Sequence, residues 1–369
     1  MTSINDPGNF TAPQPPGPLP PFQHGSASSV NRNKSKPLSF WIALALLLLL
    51  LFSMLMNLGL FALIGAKNVG DAPDALQEKC VEGQGPAKIC IIDMKGIITD
   101  EVPFMGGSGV IAVDKITKQL RQASADPDIK AIVLNINSPG GGVTASDILY
   151  NEVNQAKAQG KKIVVHMGDL CASGGYYIAA AADSIIASPT SITGSIGVIM
   201  TLFDAQELLE KKLGLKEIPI KSGPLKDIGS MARSMTVEEH AILQSLINEM
   251  YDRFVNIVAT GRKGRPGFPG DTEGVKKLAD GRIYSSQQAL NAGLIDKTGY
   301  IGDAFDEARR LAGISEATVI RYHHQAGLMD LFNPNADSLV KINSGVQIDT
   351  KSLFPDLQPR FEYLWVIGN

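Results

Sequence analysis

The sequence predicts an α/β domain of mostly parallel strands, carried behind one N-terminal transmembrane helix. Three observations predict it: an uninterrupted apolar run over residues 40–64, alternating strand-like and helix-like patterns from residue 88 onward, and glycine-rich turns at strand ends. The 369 residues, 44% hydrophobic and 19% charged, suffice for one large globular domain or two smaller ones. Lys+Arg 34 against Asp+Glu 37 leaves a formal charge of -3, so no basic face for nucleic acid is expected. Cys80, Cys90 and Cys171 form no C-x-x-C pair, and neither metal nor cofactor is expected. By spacing, Cys80 with Cys90 is the one pairing open to a disulfide.

The run FWIALALLLLLLFSMLMNLGLFALI, at about 1.5 Å per helical residue, exceeds the roughly 30 Å hydrocarbon core of a bilayer. A cleaved signal peptide has a shorter apolar run nearer the start and a small-x-small site after it; neither is found, so a retained anchor is expected. Arg32, Lys34 and Lys36 precede the run, whereas Lys67, Asp71 and Asp74 follow it. Basic residues favour the cytoplasmic flank, which puts the C-terminal bulk outside the cytoplasm, at the cell or inner membrane. Pro13, Pro15, Pro16, Pro18, Pro20 and Pro21 stand among polar residues in the N-terminal tail, a composition unable to build a packed core. The expected order is a disordered cytoplasmic tail (1–38), the anchor (39–66), a linker (67–86), the main domain (87–313) and a C-terminal extension (314–369).

Within the main domain, KICIIDMKGII (88–98), KAIVLNIN (130–137) and KKIVVHMG (161–168) read as buried strands. Helices are expected over 113–124, from the spacing of Val113, Ile116 and Leu120, and over 145–158, closed by Gly160. Thr236-Val237-Glu238-Glu239 is a capping box opening a long helix through Val258, and a further helix covers 301–311.

Chemistry concentrates where two consecutive strands end. Asn137-Ser138-Pro139-Gly140-Gly141-Gly142 follows one, and Cys171-Ala172-Ser173-Gly174-Gly175-Tyr176-Tyr177 follows the next. Parallel sheets bind ligands at the carboxyl ends of their strands, where amides at helix starts are free to hold an anion. Ser173 would open a helix over SGGYYIAAAAD, its hydroxyl at the positive end of the dipole, as suits a nucleophile. The amide of Gly174 with one from Gly140 or Gly141 would form an oxyanion hole, each donor worth roughly 3 kcal/mol in other enzymes. A serine needs a base. Of His24, His166, His240, His323 and His324, only His166 sits near Ser173 in the chain, and its strand position suits packing better. A lysine serves instead when burial brings its pKa from about 10.4 towards neutrality, at a cost on the order of 4 kcal/mol. Lys226, in the Gly- and Pro-punctuated loop KSGPLKDIGS, is the candidate, although its local sequence taken alone better describes a surface lysine.

NSPGG, ASGGYYIA..AD, TGSIGVI and SG.LKD.GS, in this order and spacing, resemble the signal peptide peptidase A family, peptidase family S49 of the short single-domain type. The resemblance runs from about residue 88 through DGR (280–282) and GLID (293–296) to about residue 312. It implies a Clp-protease/crotonase-like spiral of ββα units, with Ser173 as nucleophile, Lys226 as general base and Ser195 orienting the lysine. It also implies an oxyanion hole of Gly174 with Gly140 and Gly141. Clp-type proteases carry a histidine some twenty-five residues after the serine, where this chain has GSIGVIM. Further implications are a serine endopeptidase acting on signal-peptide remnants or other membrane-associated peptides, contact with membrane lipid, and a ring-like homo-oligomer. The rival expectations are a crotonase-like acyl-transfer enzyme and a non-catalytic membrane scaffold on the same fold.

Overall fold

The computed structural model describes residues 38–67, 76–100, 109–323 and 362–364. Apart from Leu38, the expected proline-rich tail lies outside the described residues, as do residues 68–75 of the linker and most of the C-terminal extension. Two bodies, 1–73 and 74–369, divide the chain.

The first contains α1 (Leu38–Lys67), 30 residues and therefore about 45 Å long. Its Leu46–Leu51 run is exposed. Among the described residues it is the one helix long and apolar enough to cross a membrane, and it fits a single-pass anchor.

The second body is α/β. Its first half comprises β1 (Gln77–Glu82), β2 (Lys88–Lys95), β3 (Ile97–Thr99), β4 (Val110–Ala112), α2 (Val113–Ala125), β5 (Ile129–Ser138), β6 (Gly140–Gly142), α3 (Val143–Ala158) and β7 (Lys162–Ala172). Then come α4 (Gly174–Ala179), β8 (Ser184–Ala187), β9 (Ile192–Gly194), α5 (Val237–Gly261), α6 (Thr272–Leu278), β10 (Ile283–Ser285), α7 (Ser286–Asn291), β11 (Lys297–Thr298), α8 (Ile301–Ala312), β12 (Thr318–His323) and β13 (Glu362–Leu364). The large sheet runs β1-β12-β2-β5-β7-β8-β11, with β9 joining the end of β7 and β10 pairing β9. From β12 to β11 every neighbouring pair on this path is parallel. A second sheet, β13-β6-β3-β4, forms where the parallel strands end.

Side-chain alternation explains the two layers. Ile89, Ile91, Ala131, Val133 and Val164 point to one face and pack on Ala304, Phe305 and Ala308 of α8. Cys90, Ile92, Ile132, Leu134, Ile163 and Val165 point to the other, into the larger core with residues of α2, α3, α4 and α5. The capping box that opens α5 is present, with the Glu239 N–H donating to Thr236 Oγ1 and the Thr236 N–H to Glu239 Oε2.

The sheet draws in residues on both sides of the 87–313 stretch. β1, from the expected linker, pairs antiparallel with β12, which comes from the expected extension and lies parallel to β2. This arrangement rules out the Cys80–Cys90 disulfide. Both cysteines register on Ile320 from opposite sides, two strand spacings apart, or roughly 9–10 Å. A disulfide needs Cα atoms within about 7 Å, and all three cysteines are free.

Candidate active site

Ser173 stands where β7 gives way to α4, with φ 52° and ψ −116°. A positive φ at a residue with a Cβ stores on the order of 1–3 kcal/mol, so the surroundings must hold it there. They do so from both sides: the Ser173 N–H donates to Gly194 O at 2.8 Å, and its carbonyl accepts from the Tyr177 N–H at 2.8 Å. The six-residue helix α4, shorter than the run SGGYYIAAAAD suggests, is fully buried. Tyr176 Oη donates to Leu294 O at 2.8 Å, and Tyr177 Oη to Asp147 Oδ1 at 2.7 Å. The Tyr177 ring packs edge-on against Tyr150 and tilted on Phe254. Ser173 therefore sits on a rigid elbow, 1% exposed.

The glycine turn after β5 lies directly against this elbow. A Cβ built on Gly174 would fall 3.2 Å from Gly140 Cα and 3.2 Å from Gly141 N. The turn is itself pressed onto β3, since a Cβ on Gly141 would come 2.0 Å from Ile98 O. Buried Ser138 braces it, donating to Gly96 O at 2.6 Å and accepting the Gly140 N–H at 3.1 Å. Of the glycines expected as oxyanion donors, Gly174, Gly140 and Gly141 are thus brought together, with the Gly140 N–H already engaged. The chain's own β13 lies antiparallel on β6, with Leu364, Tyr363 and Glu362 opposite Gly140, Gly141 and Gly142.

Ser195 is brought to the same place. Cys171 and Ala172 pair with Thr193 and Gly194, which sets Ser195 one residue beyond the carbonyl that accepts from Ser173. It too has a positive φ, 49°, and its N–H donates to Arg282 O at 2.7 Å. Lys226 is not brought in. Its side chain is exposed, on a run of turns in which its N–H donates to Gly223 O at 3.2 Å. Among the described residues it makes no hydrogen bond to Ser173 or Ser195.

His166 is buried as a packed strand residue. Asp93 Oδ1 accepts from Asn135 Nδ2 at 2.7 Å, Asn135 Oδ1 bonds His166 Nδ1 at 2.9 Å, and Ser188 Oγ meets His166 Nε2 at 3.3 Å. Burial holds its pKa below the usual imidazole value. His240 and His323 are exposed on α5 and β12, while His24 and His324 lie outside the described residues. Cys171 is fully buried and its thiol pushed up by desolvation, so it is a packing residue. Among the described residues no three His, Cys, Asp or Glu side chains converge as a metal site requires.

Sequence reasoning missed two supports. Ser146, in the first turn after the glycine run, donates to Gly142 O at 2.9 Å and faces Gly174. Arg262, 0% exposed, makes a two-pronged pair with Asp296 at 2.8 and 2.9 Å, and the same Asp296 accepts from the Ile185 N–H. The GLID segment carried that signal, because an aspartate closing an apolar run needs a buried partner.

The sequence profile of peptidase family S49 matches residues 155–315, and that of Clp protease residues 101–193. A protein of Enterococcus faecium named for signal peptide peptidase SppA is 38% identical over 251 residues, covering 67% of this chain and 70% of its own. Protease 4 of Salmonella typhi is 36% identical over 245 residues, 66% of this chain but 38% of that longer protein. The chloroplastic serine protease SPPA of Arabidopsis thaliana is 31% identical over 241 residues, 65% of this chain and 33% of its own. The elbow and these relatives define a serine peptidase with an α/β fold. The chain belongs to peptidase family S49.

Proposed function

We propose that this chain is a membrane-anchored serine endopeptidase that uses Ser173 as nucleophile and Lys226 as general base, on a Clp-protease/crotonase-like spiral. The observation that carries the reading is the Ser173 elbow, strained and locked against the Gly140–Gly141 turn. Lys226, oriented by Ser195, takes the Ser173 proton as Oγ attacks the scissile carbonyl. The amide of Gly174 and the glycine turn hold the oxyanion, and water then hydrolyses the acyl-enzyme with Lys226 again as base. The pairing of β13 with β6 supports an extended peptide as the ligand of this groove, bound by main-chain hydrogen bonds. Signal-peptide remnants and other membrane-associated peptides are the substrates we assign. The Arg32, Lys34 and Lys36 flank supports a cytoplasmic N-terminus and an extracytoplasmic domain.

The exposure of Lys226 favours a dyad completed in a ring-like homo-oligomer, with the lysine of one copy serving Ser173 of its neighbour. The same segment exposes Leu213, Leu215, Ile218 and Ile220, apolar surface that a second copy would cover. Ser173→Ala and Lys226→Ala are each expected to abolish hydrolysis of a lipophilic peptide while leaving the melting temperature intact. Co-assembly of the two variants should recover about a quarter of wild-type activity if pairing is random. Hydrolysis surviving in either single variant would end the assignment, and no recovery on mixing would place the dyad within one chain.

A further inference from the structure

Two segments that stand out in the sequence, DGR (280–282) and GLID (293–296), take no part in the chemistry above, yet both reach the Ser173 elbow. β10 continues the first of them and lies antiparallel on β9, with Ile283 opposite Gly194 and Tyr284 opposite Thr193. The turn before β10 is locked on itself. The Arg282 N–H donates to Asp280 Oδ1 at 3.1 Å, and Arg282 Nε donates to the two Asp280 oxygens at 2.8 and 2.9 Å. The Arg282 carbonyl is thereby fixed where it accepts the Ser195 N–H at 2.7 Å. The second segment holds α4, where Leu294 O accepts from Tyr176 Oη at 2.8 Å.

These supports converge on Gly194. Its φ is 89°, and its carbonyl accepts the Ser173 N–H at 2.8 Å. Glycine has many conformations open to it, so contacts must impose this one. The edge of the Tyr284 ring supplies the contact: a Cβ on Gly194 would stand 2.6 Å from Tyr284 Cδ2 and 3.2 Å from Cε2, with Arg282 O at 3.0 Å. The ring is held in its turn, 8% exposed within the larger core, its Oη donating to Leu278 O at 2.8 Å. Thr193, opposite Tyr284, ties β9 to β7 through Oγ1 to Cys171 O at 2.6 Å. Without the ring, Gly194 is free to leave its positive φ and the Ser173 N–H loses its acceptor. Ser173, strained at φ 52°, then relaxes out of the elbow. We propose that Tyr284 is a positioning residue for the nucleophile: its ring fixes the Gly194 carbonyl and, through it, the conformation of Ser173. The inference rests on the reading of Ser173 as nucleophile.

The test compares two variants of the full chain in detergent micelles, by turnover of a short peptide p-nitroanilide and by the rate of fluorophosphonate labelling at Ser173. Tyr284→Phe keeps the ring and gives up the bond to Leu278 O, so the melting temperature should fall by a few degrees while kcat stays within about twofold. Tyr284→Leu gives up the ring edge. It should lower kcat and the labelling rate together by about tenfold or more, since a misplacement of about 1 Å can cost roughly 100-fold. KM should stay within about twofold, because the glycine turn that faces the peptide belongs to β6, in the other sheet. Loosened folding alone would weaken both variants alike at temperatures below their melting points. A kcat of Tyr284→Leu within threefold of wild type, a loss carried by KM alone, or an equal loss in Tyr284→Phe overturns the assignment. Should Tyr284→Leu fail to fold, Tyr284→Met, closer in volume to the ring it replaces, decides by the same limits. Failure of the nucleophile reading is separate: Ser173→Ala would then retain turnover.

Discussion

Gly174→Ala separates the elbow's chemistry from its stability. The added methyl would meet Ser146 Oγ at 2.5 Å, and Gly140 Cα and Gly141 N each at 3.2 Å. The first contact is resolved by turning the Ser146 hydroxyl away from Gly142 O, which forfeits one hydrogen bond worth about 1 kcal/mol. The other two are backbone contacts that must open by a few tenths of an ångström. They cannot open into β3, because Gly141 is already pressed on Ile98. The strain instead falls on the spacing between the Gly174 amide and the glycine turn, where a developing oxyanion must fit. Losing one aligned donor lowers kcat by about 100- to 1000-fold, or roughly 3–4 kcal/mol. Gly174→Ala is therefore expected to lose about 1–2 kcal/mol in urea unfolding and about 100-fold in kcat. Gly174→Ala with Ser146→Ala should be about as stable as Gly174→Ala alone, since both lose the Ser146–Gly142 hydrogen bond, and should recover little of the activity. Activity of Gly174→Ala within threefold of wild type would refute the assignment of this amide to the oxyanion hole.

Three further outcomes follow from the same geometry. Ser173→Gly, which relieves a positive φ, should abolish hydrolysis and raise stability by about 1 kcal/mol in thermal or urea melts. Arg262→Met removes the two-pronged partner of half-buried Asp296, which keeps Arg265 at 3.2 Å, and should cost about 1.5–3 kcal/mol, read from the urea midpoint. Arg233, with the Thr236 N–H, holds the Glu239 carboxyl down to about 2, against an ordinary value of 4.5. Its contribution is then complete above pH 4.5 and lost as pH falls towards 2, so proteolysis of the 222–236 turns by pepsin should accelerate across that window in wild type and not in Arg233→Gln.

The central strands were legible because β2, β5 and β7 are covered on both faces and read as apolar runs, while the glycine turns mark where they end. The position of Ser173, between β7 and α4, was legible from the same glycines. β1 and β12 were not: β1 is exposed at every position, and its pairing spans more than two hundred residues that no local pattern records. The Cys80–Cys90 spacing misled for the same reason, since sequence separation does not reveal that β12 lies between the two strands. β13, three residues long, is visible only through its pairing with β6. Lys226 was singled out by motif order. Its exposed position depends on turns held by Asp227 and Arg233, six residues apart, a pairing with no helical or strand period to announce it.

The most direct test is labelling with a fluorophosphonate, followed by peptide mass spectrometry. One adduct per chain on Ser173, formed much more slowly in Lys226→Ala, is expected from a Ser173 nucleophile activated by Lys226. An adduct on another residue, or undiminished labelling of Ser173 in Lys226→Ala, would contradict it.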